Sequence, residues 1–295
     1  MLLIAVSQII IYAGYITPIF AGYSINTVLQ GMDIYLFVLV TATLAAGSYV
    51  INDIKDHQTD LINKPENTYI GVGKLSVRSA YIYYWILTVI GGLVAAYIAL
   101  HIGKPYLFSI YPSAVALLYM YSHILKRMPL SGNIVVAVFC AFVPGIIWYA
   151  ESDGMSILAV ADPALVYLYL GYMVFGFLAT MVREIVKDIE DKEGDESAGY
   201  NTLPIAIGVA KSKSLAIVFC LALLLSYVLW YYATLSKGWT VMSIVITITM
   251  VAPSAYILQQ IYVANAKPDY SKVSRMLKYL IAISLFVFVG ILLPL

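Results

Sequence analysis

The sequence has few charged residues, only two cysteines and only three histidines. Charged residues make up 11% of the 295 and hydrophobic residues 62%, whereas soluble domains carry about 25% and about 45–50%. An ordinary soluble domain is therefore excluded. The net charge of +1 excludes the clustered basic face that nucleic-acid-binding proteins need. Because both cysteines lie inside apolar runs, a disulfide framework and a cysteine-based metal site are excluded as well.

Long apolar runs dominate the chain, and nine of them have membrane-spanning length, since a helix needs about 20 apolar residues to cross the hydrocarbon. They cover 2–23, 34–50, 80–100, 106–125, 134–149, 164–182, 215–235, 241–263 and 276–295. The short alternating segments of a membrane barrel are not seen. The sequence predicts an all-α integral membrane protein of about nine transmembrane helices in a single domain, 1–295. Pro18, Pro112, Pro144 and Pro253 fall inside runs and are expected to kink them.

Basic residues are concentrated in alternate loops. If the segment after the second run is cytoplasmic, all 17 lysines and arginines except Lys104 and Lys237 lie on the cytoplasmic side. An excess of Lys and Arg in short cytoplasmic loops sets the orientation of membrane proteins. We therefore expect a multi-pass protein of the plasma membrane whose N-terminus and acidic segments face the cytoplasm.

Eleven of the 16 acidic residues lie in two segments. Within these, the first acidic motif (52–60, N-D-I-K-D-H-Q-T-D) and the second acidic motif (187–195, K-D-I-E-D-K-E-G-D) share the pattern D-I-x-D-x-x-x-D. Positions i, i+3 and i+7 lie on one face of a helix, so each motif predicts a column of three carboxylates. The columns are Asp53, Asp56 and Asp60, then Asp188, Asp191 and Asp195.

Carboxylate columns without neighbouring cysteine or histidine clusters favour Mg²⁺, which proteins usually bind through a few carboxylates together with substrate phosphates. One such column alone is more often a solvated helix end, but two columns with matched spacing favour a diphosphate site. Arginine and lysine are the side chains that grip phosphate oxygens. The candidates nearest the motifs are Lys74, Lys126, Arg127, Arg183 and Lys187, with Tyr121 as a weaker hydroxyl donor. Each of these cations also fits the positive-inside rule alone.

The two motifs and the nine-helix plan together resemble the UbiA superfamily of intramembrane prenyltransferases. The resemblance rests on three sequence motifs: N-D-x-x-D-x-x-x-D at 52–60, R-E-x-x-K-D-x-E-D-x-E-G-D at 183–195 and Y-S-x-x-L-K-R at 121–127. With its continuation T-L-P-I at 202–205, the second motif is most similar to members that transfer geranylgeranyl to geranylgeranylglyceryl phosphate in ether-lipid synthesis. The resemblance therefore implies a UbiA-like bundle that transfers a prenyl group from an allylic prenyl diphosphate to a lipid or aromatic acceptor.

The resemblance also implies roles for individual residues. Lys126, Tyr121 and Arg183 would contact diphosphate oxygens, with Asp53 close by, while the metal stabilises departing pyrophosphate. The allylic C–O bond then ionises and the acceptor attacks the carbocation. The residues that would bind diphosphate through Mg²⁺ are Asn52, Asp56, Asp60, Asp188, Asp191 and Asp195.

One loop departs from the family pattern. Residues 67–74 read N-T-Y-I-G-V-G-K, where many relatives carry a stretch like R-P-I-P-S-G-R. A different loop indicates that the acceptor can differ, so an aromatic acceptor of quinone biosynthesis stays open beside the lipid phosphate.

Other classes of membrane protein also use acidic residues. The phosphotransferases that move an alcohol-phosphate carry D-G-x-x-A-R, but here His57 follows Asp56. A divalent-cation transporter would place carboxylates near the bilayer midplane, and none lies in the middle of a predicted span. A degenerate regulatory relative would look similar, although the intact motifs argue against it.

Overall fold

The computed structural model describes residues 2–63, 70 and 74–285, without the side chains of residues 2 and 58–63. Within these ranges the chain is helical and contains no β-strand. The α-helices are α1 (Leu2–Ile11), α2 (Thr17–Gly22), α3 (Asp33–Asn63), α4 (Val77–His101), α5 (Ile110–His123), α6 (Ser131–Ala150), α7 (Ser152–Ala161), α8 (Pro163–Ser197), α9 (Leu203–Ile207), α10 (Val209–Ser236), α11 (Thr240–Ile246), α12 (Ala252–Val263) and α13 (Lys267–Ser284). Two π-helical segments, Tyr12–Ile16 and Thr247–Val251, and two 3-10 segments, Pro105–Ser109 and Leu125–Arg127, connect some of them.

Eight helical segments of the described ranges are long and apolar enough to cross a membrane. They are Leu3–Gly22, Asp33–His57, Val77–His101, Pro105–Arg127, Ser131–Ala150, Pro163–Ser197, Val209–Ser236 and Thr240–Val263. These confirm the first eight predicted runs and the all-α class. The ninth run, 276–295, begins within α13 and continues beyond the described residues.

The four prolines differ in how their helices accommodate them. Pro18 and Pro253 each follow a π-helical segment and stand at the start of the next α-helix. Pro112 lies in the first turn of α5, where its missing N–H removes no intrahelical hydrogen bond. Pro144 alone of the four lies inside an α-helix. The expectation of a kinked helix interior is therefore wrong for Pro112, and the wider π turns separate Pro18 and Pro253 from the helices before them.

The residues form two compact units. The first unit comprises Met1–Val6, Val28–Met128 and Glu193–Asn201. The second unit comprises Ser7–Thr27, Pro129–Lys192 and Thr202–Leu295. The first acidic motif belongs to the first unit, whereas Asp188 and Asp191 belong to the second and Asp195 to the first. The single-domain expectation stays a prediction.

In the first unit, α3 packs against both α4 and α5. Its buried core includes Ile51 and Ile54 of α3, Ala80 and Tyr84 of α4, and Ile70. Burying aliphatic and aromatic side chains is the main force that holds such helices together. Because Ile51 and Ile54 flank Asn52 in sequence, this core fixes the part of α3 that carries the first acidic motif.

A close approach of side chain and backbone sets the spacing of α4 and α5. The Tyr111 hydroxyl of α5 donates a hydrogen bond of 2.8 Å to the Thr88 carbonyl of α4. A Cβ atom at Gly91 would overlap that same hydroxyl. Glycine at position 91 therefore leaves the room that Tyr111 needs to lie against α4.

In the second unit, buried aromatic side chains bind backbone carbonyls around α8. The Tyr169 hydroxyl donates to the Pro144 carbonyl at 2.8 Å, and the Trp230 indole N–H donates to the Leu168 carbonyl at 3.1 Å. The Tyr15 ring lies 5.3 Å from the Tyr169 ring in an edge-to-face arrangement. Buried Tyr and Trp polar atoms need such partners. These contacts hold α8, the helix that carries the second acidic motif, against three other helical segments.

An ion pair marks the start of α8 in the second unit. Lys237 Nζ lies 2.8 and 2.7 Å from the two Asp162 carboxylate oxygens, and the Tyr23 hydroxyl donates to Asp162 at 3.0 Å. Burial raises the pKa of the Asp162 carboxyl, but the hydrogen bonds from Lys237 and Tyr23 outweigh it and hold the pKa below its usual range. Asp162 is therefore an anion at neutral pH.

Candidate active site

The first acidic motif occupies the C-terminal part of α3. Asn52 and Asp56, one helical turn apart, are joined by a hydrogen bond of 2.8 Å from Asn52 Nδ2 to Asp56 Oδ2. Both side chains are half-buried, whereas Asp53 is exposed. Asp60 also belongs to α3, but its side chain lies outside the described residues. Of the predicted column, the structure therefore describes the side chains of Asp53 and Asp56, and Asp56 is hydrogen-bonded to Asn52.

Lys126 connects this pair to the turn that follows α5. Its Nζ donates to Asn52 Oδ1 at 3.1 Å and forms an ion pair with Asp56 Oδ1. The Lys126 side chain is only 9% exposed and the Asp56 side chain 19% exposed. Charges that are so poorly solvated interact more strongly than charges at an open surface. The structure thus brings together Asn52, Asp56 and Lys126, three residues predicted from the sequence.

Tyr200 also contacts Asp56, a contact that no sequence motif predicted. Its hydroxyl donates to Asp56 Oδ1 at 3.3 Å. The Arg127 guanidinium lies 5.0 Å from the centre of the Tyr200 ring, a cation–π contact. Tyr200 is one of 26 tyrosines and stands 144 residues from Asp56, so only the fold reveals the contact. Arg127, predicted as a phosphate candidate, lies against this ring.

The second acidic motif lies near the C-terminal end of α8. Asn133, in the first turn of α6 and 5% exposed, donates from Nδ2 to Asp188 Oδ2 at 2.9 Å. Asp191 and Asp195 continue the column on the same helix, and both are half-buried. A buried amide that donates to a carboxylate fixes the direction of its oxygens. Asn133 is a second residue to which the sequence reasoning assigned no role.

The basic residues of the second motif lie on α8 itself. Arg183 Nη1 is 2.5 Å from Glu184 Oε1, so part of this guanidinium is already paired. Arg183 Nε is buried and has no hydrogen-bond partner among the described residues. Lys187 is half-buried one turn further along the helix. Arg183 therefore retains an N–H donor for a further acceptor.

Three further predicted residues are Tyr121, Lys74 and Asp53. Tyr121 is half-buried on α5, and Lys74 is exposed ahead of α4. Among the described residues, Asn52 and Asp56 make no hydrogen bond to Tyr121, Lys74 or Asp53. The loop 67–74 that departs from the family pattern lies outside the described residues except for Ile70 and Lys74.

The donor set fits Mg²⁺ by chemistry. Every candidate ligand is a carboxylate or amide oxygen, the hard donor that Mg²⁺ prefers. Within the described ranges no group of three or more acidic, histidine or cysteine side chains converges. Proteins usually bind Mg²⁺ through one or two carboxylates together with water and substrate phosphates. The described candidate ligands are Asn52, Asp56 and Asp195 in the first unit and Asp188 and Asp191 in the second.

An apolar groove lies between α4 and α5 in the first unit. Its volume is about 590 Å³, and its lining includes Trp85 and Met120 but no ionisable acid, lysine, arginine or histidine. Some of the residues that line it, among them Tyr84 and Tyr111, also line a smaller recess that reaches Ser48 and Ile51 of α3. Since Ile51 precedes Asn52, the groove offers apolar surface beside the first acidic motif.

Comparison with known proteins identifies the family. The UbiA prenyltransferase family profile matches residues 15–288. The digeranylgeranylglyceryl phosphate synthase of Methanopyrus kandleri is 31% identical, and the alignment covers 86% of each chain. That of Thermococcus gammatolerans is 30% identical over 94% of this chain and 92% of the relative. A UbiA homologue from Archaeoglobus fulgidus, solved with GPP and Mg²⁺, has a TM-score of 0.56 at 18% identity, covering 86% of this chain and 87% of that one.

The fold agrees with the structural neighbour, and the sequence matches extend over most of the chain. These findings favour an enzyme over the transporter and scaffold alternatives. The chain is a multi-span membrane prenyltransferase that belongs to the UbiA prenyltransferase family.

Proposed function

We propose that this prenyltransferase moves a geranylgeranyl group from its diphosphate to geranylgeranylglyceryl phosphate, in a Mg²⁺-dependent reaction of ether-lipid synthesis. The observation that carries the proposal is the Asn52–Asp56–Lys126 cluster, which combines ligand oxygens for a divalent cation with a fixed positive charge for the diphosphate. The relatives named above support the lipid acceptor. The apolar groove between α4 and α5 supports an apolar isoprenoid chain as the group that is transferred.

The chain's own residues bind and orient the diphosphate in this proposal. Asp56, Asp60, Asp188, Asp191 and Asp195, with Asn52, would hold Mg²⁺, which supplies positive charge to the departing pyrophosphate. Lys126 adds a second positive charge at the first motif, and Arg183 offers its N–H donors at the second. Tyr121, Lys187, Lys74 and Asp53 remain candidate substrate contacts.

The reaction breaks the allylic C–O bond of the diphosphate and the O–H bond of the acceptor, and it forms one ether C–O bond. The allylic C–O bond of the diphosphate breaks, and pyrophosphate leaves with the electron pair. A hydroxyl oxygen of the acceptor then attacks the allylic carbocation, forms an ether C–O bond and loses its proton. Charge that develops on pyrophosphate is stabilised by groups already in place, which is the largest effect in most enzymes. Apolar surroundings protect the carbocation from water.

The proposal includes a location. Since all but two of the 17 basic residues lie in alternate loops, the acidic motifs would face the cytoplasm of a plasma membrane. One domain over residues 1–295 would form the enzyme.

A prenyl-transfer assay on purified protein in lipid tests the proposal. It uses labelled geranylgeranyl diphosphate, Mg²⁺ or EDTA, and either geranylgeranylglyceryl phosphate or an aromatic acceptor. Product that forms with the lipid phosphate and requires Mg²⁺ supports the proposal. Product only with the aromatic acceptor would reassign the acceptor to the quinone type, and Mg²⁺-independent turnover would overturn the metal assignment.

A further inference from the structure

Tyr200 is positioned by the way α8 ends. The helix closes with hydrogen bonds from Gly199 N to the Glu196 carbonyl, 3.1 Å, and from Tyr200 N to the Asp195 carbonyl, 2.9 Å. Gly199 has φ of +73°, the left-handed conformation that glycine favours. This pattern is the Schellman motif. It attaches the Tyr200 backbone directly to Asp195, the last aspartate of the second acidic motif.

Arg127 holds the same segment from the other side. The Asn201 N–H donates to the Arg127 carbonyl at 3.0 Å, while the Arg127 guanidinium lies 5.0 Å from the Tyr200 ring centre. Arg127 directly follows Lys126, the cation paired with Asp56. The Tyr200 ring is therefore fixed by two backbone hydrogen bonds and one cation–π contact, all within the first unit.

The Tyr200 hydroxyl fills the second hydrogen-bond acceptor site on Oδ1 of Asp56. An ionised carboxylate has about four acceptor sites, two on each oxygen. Oδ1 accepts from Lys126 and Tyr200, and Oδ2 accepts from Asn52 Nδ2. Among the contacts of the described residues, one acceptor site therefore remains, and it belongs to Oδ2.

We propose that Tyr200 is a positioning residue: its hydroxyl, together with Lys126, saturates Asp56 Oδ1 and so reserves Oδ2 as the oxygen that ligates a divalent cation. This inference rests on the proposed function, because it assumes that Asp56 is a ligand. The inference also links the two motifs along the chain: Tyr200 follows Asp195 of the second acidic motif, and its hydroxyl donates to Asp56 of the first acidic motif. Groups that hydrogen-bond to metal ligands fix their direction, and their loss lowers metal affinity by about 10–100-fold.

The test distinguishes the contribution of the Tyr200 hydroxyl to Mg²⁺ binding from that of the Tyr200 ring. Tyr200→Phe keeps the ring beside Arg127 and removes the donor to Asp56, whereas Tyr200→Leu removes both. Tyr83→Phe is the matched control, because it deletes a hydroxyl from a tyrosine of α4 that is 50% exposed. Each purified variant is titrated with Mg²⁺ in the presence of geranylgeranyl thiolodiphosphate, a non-ionising analogue. Binding is measured by calorimetry, and the apparent melting temperature is recorded in parallel.

We expect Tyr200→Phe to raise the Mg²⁺ concentration at half-saturation about tenfold at an unchanged melting temperature. Tyr83→Phe should match the wild type, and Tyr200→Leu should show the same binding defect together with a lower melting temperature. A Tyr200→Phe titration that coincides with the wild type overturns the positioning role while leaving the proposed function standing. If the wild type itself binds the analogue without regard to Mg²⁺, the proposed function fails first and the inference fails with it.

Discussion

The two acidic motifs share one spacing but are held by different partners. At the first motif, Asp56 is paired with a lysine from another helical segment and also accepts from Tyr200. At the second, Asp188 accepts a hydrogen bond from the neutral amide of Asn133. The two motifs thus share the spacing D-I-x-D-x-x-x-D, while the residues that contact Asp56 and Asp188 come from different parts of the chain.

This difference assigns different tasks to the supporting residues. A lysine ion pair offsets the charge of a carboxylate and adds a positive charge to the site, whereas an amide only fixes the direction of the carboxylate oxygens. Loss of Lys126 should therefore change the electrostatics of the first motif. Loss of Asn133 should mainly loosen the geometry of the second.

The largest effect is expected when a carboxylate is removed from either motif. Asp56→Ala and Asp191→Ala should each reduce prenyl transfer by at least about a thousandfold. Each variant would lose a proposed ligand of Mg²⁺, so the negative charge that develops on departing pyrophosphate would be less well stabilised. Both residues are half-buried near a helix end, so circular dichroism and gel filtration should show folded protein. Transfer at the wild-type rate by either folded variant would refute the metal assignment of its motif.

A smaller effect is expected from Lys126→Met, which leaves Asp56 without its ion-pair partner. The loss of a fixed positive charge beside the diphosphate should lower kcat by about a hundredfold, and Lys126→Arg should restore part of it because the charge is kept. Steady-state kinetics at saturating Mg²⁺ measure both variants. The control is Lys211→Met, which removes an exposed lysine from α10. Equal kcat values for Lys126→Met and Lys211→Met would show that the ion pair with Asp56 is only structural.

A third change addresses the neutral partner of the second motif. Asn133→Ala should raise the Mg²⁺ concentration needed for half-maximal activity about tenfold, with a smaller change in kcat than Lys126→Met causes. The reason is that Asp188 loses a directing hydrogen bond while the site keeps its charge. The measurement is a Mg²⁺ titration of the transfer rate. A kcat loss as large as that of Lys126→Met, at an unchanged Mg²⁺ requirement, would contradict the distinction between the two partners.

The sequence predicts the helices and the acidic columns because both depend on local patterns. Apolar runs of spanning length predicted the eight long apolar helical segments. The predicted ends were wrong for the two helices that carry the acidic motifs, because α3 continues to Asn63 and α8 to Ser197, well beyond the predicted ends at 50 and 182. The family resemblance selected Asn52, and Lys126 was predicted as a phosphate contact, but their contacts with each other and with Asp56 were not predicted. The short helix α7 was missed because its ten residues are fewer than a membrane span requires.

The remaining contacts depend on how distant segments pack. Tyr200 and Asn133 reach the aspartates across 144 and 55 residues, and neither residue type has a spacing that marks such a contact. Gly199, just after α8, is a sequence signal for the helix end, yet nothing in the sequence shows that the next side chain points to Asp56. The role of Asp60 stays a prediction, because its side chain lies outside the described residues.

The smallest effect is expected at the Lys237–Asp162 ion pair. This pair measures how much an ion pair without a catalytic role contributes to the free energy of unfolding. Asp162 stands 26 residues before Asp188, which is about 39 Å along α8 at 1.5 Å per residue, so Lys237→Met should leave prenyl transfer unchanged. Exposed ion pairs contribute about 0.2–1 kcal/mol, and the variant should lose about that much stability at pH 7.

The pH dependence of this loss has a definite sign. Lys237 and Tyr23 outweigh burial and lower the pKa of Asp162 in the folded protein from its ordinary 3.8, so the pair stabilises the fold above about pH 4 and loses its effect as pH falls through the lowered value. Thermal melts of the wild type and Lys237→Met should therefore differ at pH 7 and converge in acid. A difference that persists below the pKa of Asp162 would show that Lys237 stabilises the protein by packing, and a drop in prenyl transfer would show that this end of α8 influences the acidic motifs.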